Sequence, residues 1–373
     1  MKKLREVAVF LRMASRPVPR VTRMMAVARG AGLEAKFIGA HRDRNLPSHD
    51  EWEGFPITRV GLPFPLLNGK RPWLYLRALA SCNRGFFRQL RLERPRIVHA
   101  SDIETFPASY LYRMTSKSRL VYNIHDNLAQ RYALPSIIKK LLNVVEGIAV
   151  VLSDGATVPE EFRRAALPTW CHPRVRVIPN VPAENDRAPP PPLENTRIRI
   201  FYGGWLDRQR GLTALLQLSK EPDFDVRIAG EGSQEIVAEI ERCKTATFLG
   251  FLRSSDVIEE TRRCHFVPVL YDPSREINRF AASNKLAEAM AIGRPVLMNE
   301  ELEAAKAMAG LNCVINTKYK DAGLAADRLR EMIAAPNIYT DACAEARRYY
   351  EEVYSWEKVK FDSKVLLLGC RGI

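Results

Sequence analysis

The chain has 373 residues, 46% hydrophobic and 9% aromatic, with a formal net charge of +14. Such a composition builds a large core and excludes a disordered chain, and the length favours two domains. The charge is uneven: residues 1–186 hold 30 Lys and Arg against 16 Asp and Glu, whereas the remainder holds 27 of each. An anionic partner is therefore expected for the N-terminal half: a membrane surface, a phosphorylated acceptor or nucleic acid. The start, MKKLREVAVFLRMAS, has no long apolar core or small-residue cleavage site, so no signal peptide is expected. The most apolar run, near residues 144–152, falls far short of the ~20 residues that span a bilayer. Seven scattered cysteines form no CxxC, and Cys171-His172 and Cys264-His265 lack partner pairs. Reduced thiols and no metal or other cofactor are expected.

In chain order, residues 4–11 read as a buried strand, followed by a loop in which Arg16 and Arg20 bracket two prolines. A helix over about 21–31 and a strand over 34–38 complete a βαβ opening, which implies a parallel sheet. The loop is not GxGxxG, so the dinucleotide fingerprint is absent. Residues 41–56 are polar and turn-rich, and 56–62 form a strand. Residues 71–92 mix aromatic and aliphatic side chains with Arg77, Arg84, Arg88 and Arg91. That pattern suits either an interfacial helix or a core-packed helix with a solvated arginine face. Strands over 96–100 and 119–124 bring His99, Asp102, His125 and Asp126 to carboxyl ends, where open α/β sheets take ligands. A helix over 136–152 and strands at GATVP and VRVIPN close this half.

The stretch AENDRAPPPPLEN, residues 183–195, reads as a stiff linker. After it the strand–helix pattern restarts. The expected organisation is an N-terminal domain over 1–186, a linker over 187–196, a C-terminal domain over 197–353, and a final helical segment over 354–373 crossing back. Three strand ends of the second half carry glycines. Gly203-Gly204 precedes Arg208 and Arg210, Gly230-Glu231-Gly232 follows another strand, and Gly250 precedes Phe251, which could flank a base. SNKLAEAMAIGRPV, 283–296, then reads as a loop entering a short helix that stops at Gly293. Ser283 and Asn284 are N-cap types, Lys285 adds a cation to the helix start, and Glu288 lies one turn deeper. That arrangement suits phosphates at the tip and ribose hydroxyls below.

FYGGWLDRQRGL, VRIAGEG, TFLGFL, VPVLYDPS and SNKLAEAMAIGRPVL, in this order, resemble the donor domain of retaining GT-B glycosyltransferases of the group 1, GT4-like set. PVPRVTRMMAVARGAGLEAKFIG, IVHASDIETFPA, LVYNIHD and VRVIPNVP resemble the first half more loosely. The resemblance implies an α/β GT-B fold, with two Rossmann-like domains facing each other across a cleft. It implies donor contacts from Gly203, Gly204, Arg208, Arg210, Gly230, Gly232 and Phe251, and from Asn284, Lys285 and Leu286, with Glu288 on the ribose. Arg210 and Lys285 would neutralise the diphosphate, and His125 would face the donor sugar as the third catalytic residue. Arg16, Arg20 and Asp126 fall to the acceptor side. Two departures stand out: Phe280 occupies the place of a sugar-contacting glutamate, with Glu276 out of register, and Trp205 replaces the usual arginine after the glycine turn.

The activity so implied is transfer of a sugar from UDP, or from GDP, to a glycan or lipid-linked acceptor with retention of configuration. The protein would be cytoplasmic, with peripheral docking on the inner face of the membrane and no nucleic acid as partner. Two alternatives share the donor grip: a GT-B sugar-nucleotide epimerase and a catalytically inactive binding subunit. A basic nucleic-acid binder would instead leave the glycine-marked strand ends idle.

Overall fold

The computed structural model describes residues 4–43, 45–61, 72–183, 188–191 and 197–369, with the side chains of 72 and 73 left aside. The chain divides into two compact units, Met1–Pro179 with Glu357–Ile373, and Asn180–Trp356. The division thus falls before the expected linker at 187–196. Ala188 and Pro189 are part of the second unit, their carbonyls accepting from the fully buried Arg294 (3.3 and 2.6 Å). Residues 184–187 and 192–196 lie outside the described segments.

Unit 1 is built on β1 (Arg5–Arg12), β2 (Glu34–Ala40), β3 (His49–Trp52), β4 (Phe55–Val60), β5 (Pro95–Ser101), β6 (Arg119–Asn123), β7 (Gly155–Val158) and β8 (Val175–Val177). They form one sheet in the order β3-β4-β2-β1-β5-β6-β7-β8, parallel except for β3. The runs VAVFL and RIVHA are apolar without alternation because the sheet is covered on both faces. β3 is the element that reading by apolarity misses. HDEW is polar, and it is held as an edge strand by a tight turn with positive φ at Glu53 (50°) and Gly54 (75°). Helix Pro72–Glu93 buries Cys82, Phe86 and Leu90 against this core, and Arg77, Arg84, Arg88 and Arg91 are exposed. Of its two readings, the core-packed helix holds. The terminal helix Trp356–Leu368 buries Val359, Val365, Leu366 and Leu367, and Leu366 lies against Gly155 of β7.

Unit 2 contains β9 (Ile198–Gly203), β10 (Phe224–Ala229), β11 (Ala246–Phe248), β12 (Val267–Val269), β13 (Val296–Asn299) and β14 (Val314–Thr317). Two three-stranded parallel sheets, β11-β10-β9 and β12-β13-β14, meet at a bridge between Ile200 and Phe266. There Phe201 N–H donates to the Phe266 carbonyl at 3.2 Å and His265 N–H to the Arg199 carbonyl at 2.8 Å. The continuous order β11-β10-β9-β12-β13-β14 is that of a doubly wound sheet. Its direction of winding reverses between β9 and β12, the crevice where such sheets take ligands. In unit 1 the same reversal falls between β1 and β5.

Candidate functional site

Each unit has a switch point of its own. In unit 2 the chain leaves β12 at Tyr271. Its N–H donates to Asn299 Oδ1 (2.9 Å) and its carbonyl accepts from Asn299 Nδ2 (3.2 Å), so the fully buried Asn299 at the end of β13 fixes this strand end. The Tyr271 hydroxyl donates to Ser283 Oγ at 3.2 Å. Ser283 holds the N-cap position of helix Asn284–Ile292 but makes no side-chain capping bond. The opening N–H groups of that helix, from Asn284 to Leu286, therefore face outward from a positive dipole end without a capping side chain. Gly293, with φ 83°, ends the helix as expected, and Arg294 N–H closes back on the Ala289 carbonyl.

Two cations converge on this helix start. Lys285 Nζ lies 4.2 Å above the Tyr202 ring and 5.5 Å from that of Tyr271, whose ring also carries the Arg210 guanidinium at 5.4 Å. Neither Lys285 nor Arg210 makes an ion pair among the described residues. Aromatic faces hold a cation without neutralising it, so the pair keeps its charge for a ligand. Gly204 faces the same place: a Cβ there would point toward Lys285 Nζ at 3.9 Å. Glu288 is half-buried one turn below, and Phe251, three residues beyond β11, is 63% exposed.

Other expected donor residues have close partners within the protein. Arg208 pairs with Glu235 (3.0 Å) and Glu239 (2.8 Å) of helix Gln234–Arg242 in an exposed ion-pair cluster. Gly230 and Gly232 serve backbone packing. A Cβ on Gly230 would fall 1.7 Å from the Gly204 carbonyl oxygen, and one on Gly232 2.6 Å from that of Leu206. Gly203 packs against Phe201 and Val257.

In unit 1, β5 is followed directly by Asp102, whose φ of 64° and ψ of 162° fall in a region nearly reserved for glycine. The strain presents its carboxylate to the end of β6. Oδ1 accepts the backbone N–H groups of His125 (2.8 Å) and Asp126 (3.2 Å), and Oδ2 pairs with Arg131 at 3.2 Å. Arg131 also pairs with Glu104. Arg163 donates to the His125 carbonyl (2.6 Å) and to Asp126 Oδ1 (3.2 Å). Burial would raise the Asp126 pKa, but Arg163, Arg131 and Arg12 together hold it below the usual value. Arg12, at the end of β1, has a buried Nη1 with no partner among the described residues.

The His125 tautomer follows from its neighbours. Arg20 Nε donates to Asn123 Oδ1 at 3.1 Å, which turns the Asn123 amide NH2 toward His125 Nε2 at 2.8 Å. Nε2 is thus an acceptor and Nδ1 carries the proton. Burial and then Arg12 and Arg20 push the His125 pKa well below 6.5, so the ring is neutral. Arg20 is buried and also bonds the Ile178 carbonyl and Thr157 Oγ1. It is a strut that orients Asn123 and through it His125, not an open acceptor contact. Arg16 is exposed over the Trp52 ring at 5.0 Å and takes no part in this cluster. His99 is fully buried against Phe10 (4.9 Å), and burial depresses its pKa to about 3, which makes it a core residue. Arg12, Arg131, Arg163, Tyr202, Tyr271 and Asn299 escaped the sequence reading. A polar residue closing an apolar strand, as Arg12 and Asn299 do, was the available signal.

The family described as glycosyl transferase 4-like domain matches residues 17–181. Known structures resemble the whole chain. Sucrose-phosphate synthase from Thermosynechococcus elongatus aligns with a TM-score of 0.75 at 14% identity, over 96% of this chain and 97% of that one. Anabaena HepE, in complex with UDP-glucose, aligns at 0.68 and 14% identity over 95% and 97%. The α,α-trehalose-phosphate synthase (UDP-forming) of Burkholderia vietnamiensis aligns at 0.65 and 12% identity over 96% of each chain. A comparison with curated proteins returned no match.

Proposed function

We propose that this chain, which has the GT-B fold and whose residues 17–181 match the glycosyl transferase 4-like domain, moves a sugar from a UDP-linked donor to a glycan or lipid-linked acceptor with retention of configuration. The observation that carries this reading is the pair Arg210 and Lys285. Both are held on buried tyrosine rings without a carboxylate partner among the described residues, beside an uncapped helix start at a switch point. A diphosphate would complete that charge, and the UDP-glucose complex of Anabaena HepE makes UDP the first nucleotide to test. Glu288 is assigned to the ribose hydroxyls and Phe251 to the base. The neutral His125 is assigned to a sugar hydroxyl, through Nδ1–H.

In the transfer, the bond between the anomeric carbon and the phosphate oxygen breaks while the acceptor oxygen bonds to that carbon. The acceptor proton passes to the leaving phosphate. Negative charge gathers on the diphosphate, so Arg210, Lys285 and the helix N–H groups act most strongly in the transition state, with no metal needed. The basic balance of unit 1 supports an acceptor presented at an anionic surface, and hence peripheral docking on the inner face of the membrane.

A panel of nucleotide sugars, screened by thermal shift and then by transfer to acceptors, tests the proposal. One UDP-sugar should stabilise the protein, by ~2.7 kcal/mol at 100 times its Kd. Arg210→Ala and Lys285→Ala should each weaken its binding and lower kcat/KM by about 10²–10³, while Arg208→Ala should change neither. Indifference of the panel, or equal binding by both alanine variants, would overturn the donor grip. Epimer formed from the donor without any acceptor would replace transfer by epimerisation.

A further inference from the structure

Helix Ser136–Leu152 covers unit 1 with its inner face, where Glu146, Gly147, Ala149 and Val150 are buried. Its outer face is aliphatic. Ile137 is 68% exposed, Leu141 62%, Val144 44%, Ile148 47% and Val151 39%. Steps of three and four residues set these side chains in one stripe, which at 1.5 Å per residue is roughly 20 Å long. The helix has a single acidic residue, the buried Glu146, and carries Lys139 and Lys140 near its start. Trp170, 52% exposed, lies on it at Gly147, where a Cβ would meet the indole at 2.5 Å.

A second helix, Phe106–Thr115, extends the patch. The crossovers β5 to β6 and β6 to β7 run in the same direction along the sheet, so their right-handedness puts both helices on one face. Arg113, near the end of one, forks onto Asp154 just beyond the other at 3.0 and 2.8 Å. Leu111 and Met114, flanking Arg113, are 52% and 63% exposed. Aliphatic exposure on this scale marks an interaction surface.

We propose that this face is a membrane-docking surface, whose aliphatic stripe enters the acyl boundary of an anionic leaflet with Trp170 at the headgroup level. The proposal rests on the anionic-surface reading above and not on which sugar is transferred. Charge selects the occupant. Unit 1 holds 34 Lys and Arg against 16 Asp and Glu, +18, and unit 2 holds 23 against 27, −4. A second copy docking by this face would bring two units of +18 together, whereas anionic lipid is complementary to it. The stripe is a convex helix surface, which suits a deformable lipid phase better than a side chain seeking a pocket. No helix among the described residues is long and apolar enough to cross a membrane, so attachment would be interfacial.

Sedimentation with vesicles of phosphatidylcholine, with and without phosphatidylglycerol, tests this on the full chain. Binding is expected to the anionic vesicles at low salt and to fall at high salt. Leu141→Glu with Ile148→Glu should reduce it at least tenfold while nucleotide binding in solution, measured without vesicles, stays unchanged. In the otherwise unaltered protein, vesicles should shift tryptophan emission to the blue, and Trp170→Phe should remove most of that shift. No binding at low salt, undiminished binding by the double variant, or a dimer in solution that the double variant dissociates would each overturn the proposal. Loss of vesicle binding with donor binding intact would leave the sugar-transfer reading standing.

Discussion

Glu146 is 1% exposed, and its carboxylate accepts from the Tyr122 hydroxyl and from the Leu128 N–H at 3.2 Å. Burial outweighs these bonds and lifts its pKa from 4.5 to about 7. Between those two values the folded protein holds a proton that the unfolded chain has released. The contribution to stability is therefore complete below about pH 4.5, is lost as pH rises toward 7, and is flat above. Glu146→Gln keeps an acceptor there and removes the titration. Relative to the unaltered protein, the glutamine variant should gain roughly 3 kcal/mol between pH 4.5 and pH 8, read from urea unfolding at the two pH values. An unchanged difference would mean that the carboxyl is ionised in the fold throughout. At this scale the sequence was readable where a residue type has few uses. Lys285 at a helix start and His125 at a strand end stand where they were expected. It was unreadable where a partner decides: Arg208 and Arg210 are two residues apart, and only the helix bearing Glu235 and Glu239 makes one an ion-pair partner and leaves the other facing Tyr271.

Among the elements, the apolar parallel strands, the helix stopped by Gly293 and the restart after the prolines were all legible, because periodicity and turn chemistry are local. The edge strand His49–Trp52 was not, since an exposed edge needs no apolar residues and only its pairing with β4 reveals it. Nor was the exposure of helix Ser136–Leu152. Its apolar run was read only as too short to span a bilayer, and sequence does not say on which side a neighbour is absent. The glycines after β9 and β10 were read as close approach to a ligand, and the close approach is chiefly of one turn to another. Gly204 N–H donates to the Ala229 carbonyl at 3.0 Å and Leu206 N–H to that of Glu231 at 2.7 Å. These bonds clamp the turn that carries Gly204 toward Lys285. Gly230→Ala must move that turn, because its Cβ would meet the Gly204 carbonyl oxygen and its φ of 144° disfavours alanine. We expect a loss of roughly 1–3 kcal/mol in unfolding free energy together with weaker nucleotide binding. Calorimetry and titration on the same variant check both, and a variant as stable as the parent with unchanged affinity would remove the clamp.

For the whole molecule, the proline run was expected to mark the domain boundary, yet the change of core falls near Pro179, because Arg294 draws Ala188 and Pro189 into unit 2. The consequence is an asymmetry between the units. Unit 1 is discontinuous, needing residues beyond 356 to supply Val359, Val365, Leu366 and Leu367. Unit 2 is one uninterrupted segment, 180–356, with its own core from Ile198 to Cys343 and a complete doubly wound order. All the residues assigned to the donor except His125 lie inside it. The segment 180–356 expressed alone should therefore fold cooperatively and bind the nucleotide of the donor, while failing to transfer sugar. A chain ending at residue 356 should keep nucleotide binding and lose stability in unit 1. Circular dichroism melts and nucleotide titrations of the two truncated chains decide the matter. If 180–356 were folded but blind to every nucleotide that the full chain binds, the grip would not be contained in Arg210, Lys285 and the helix start.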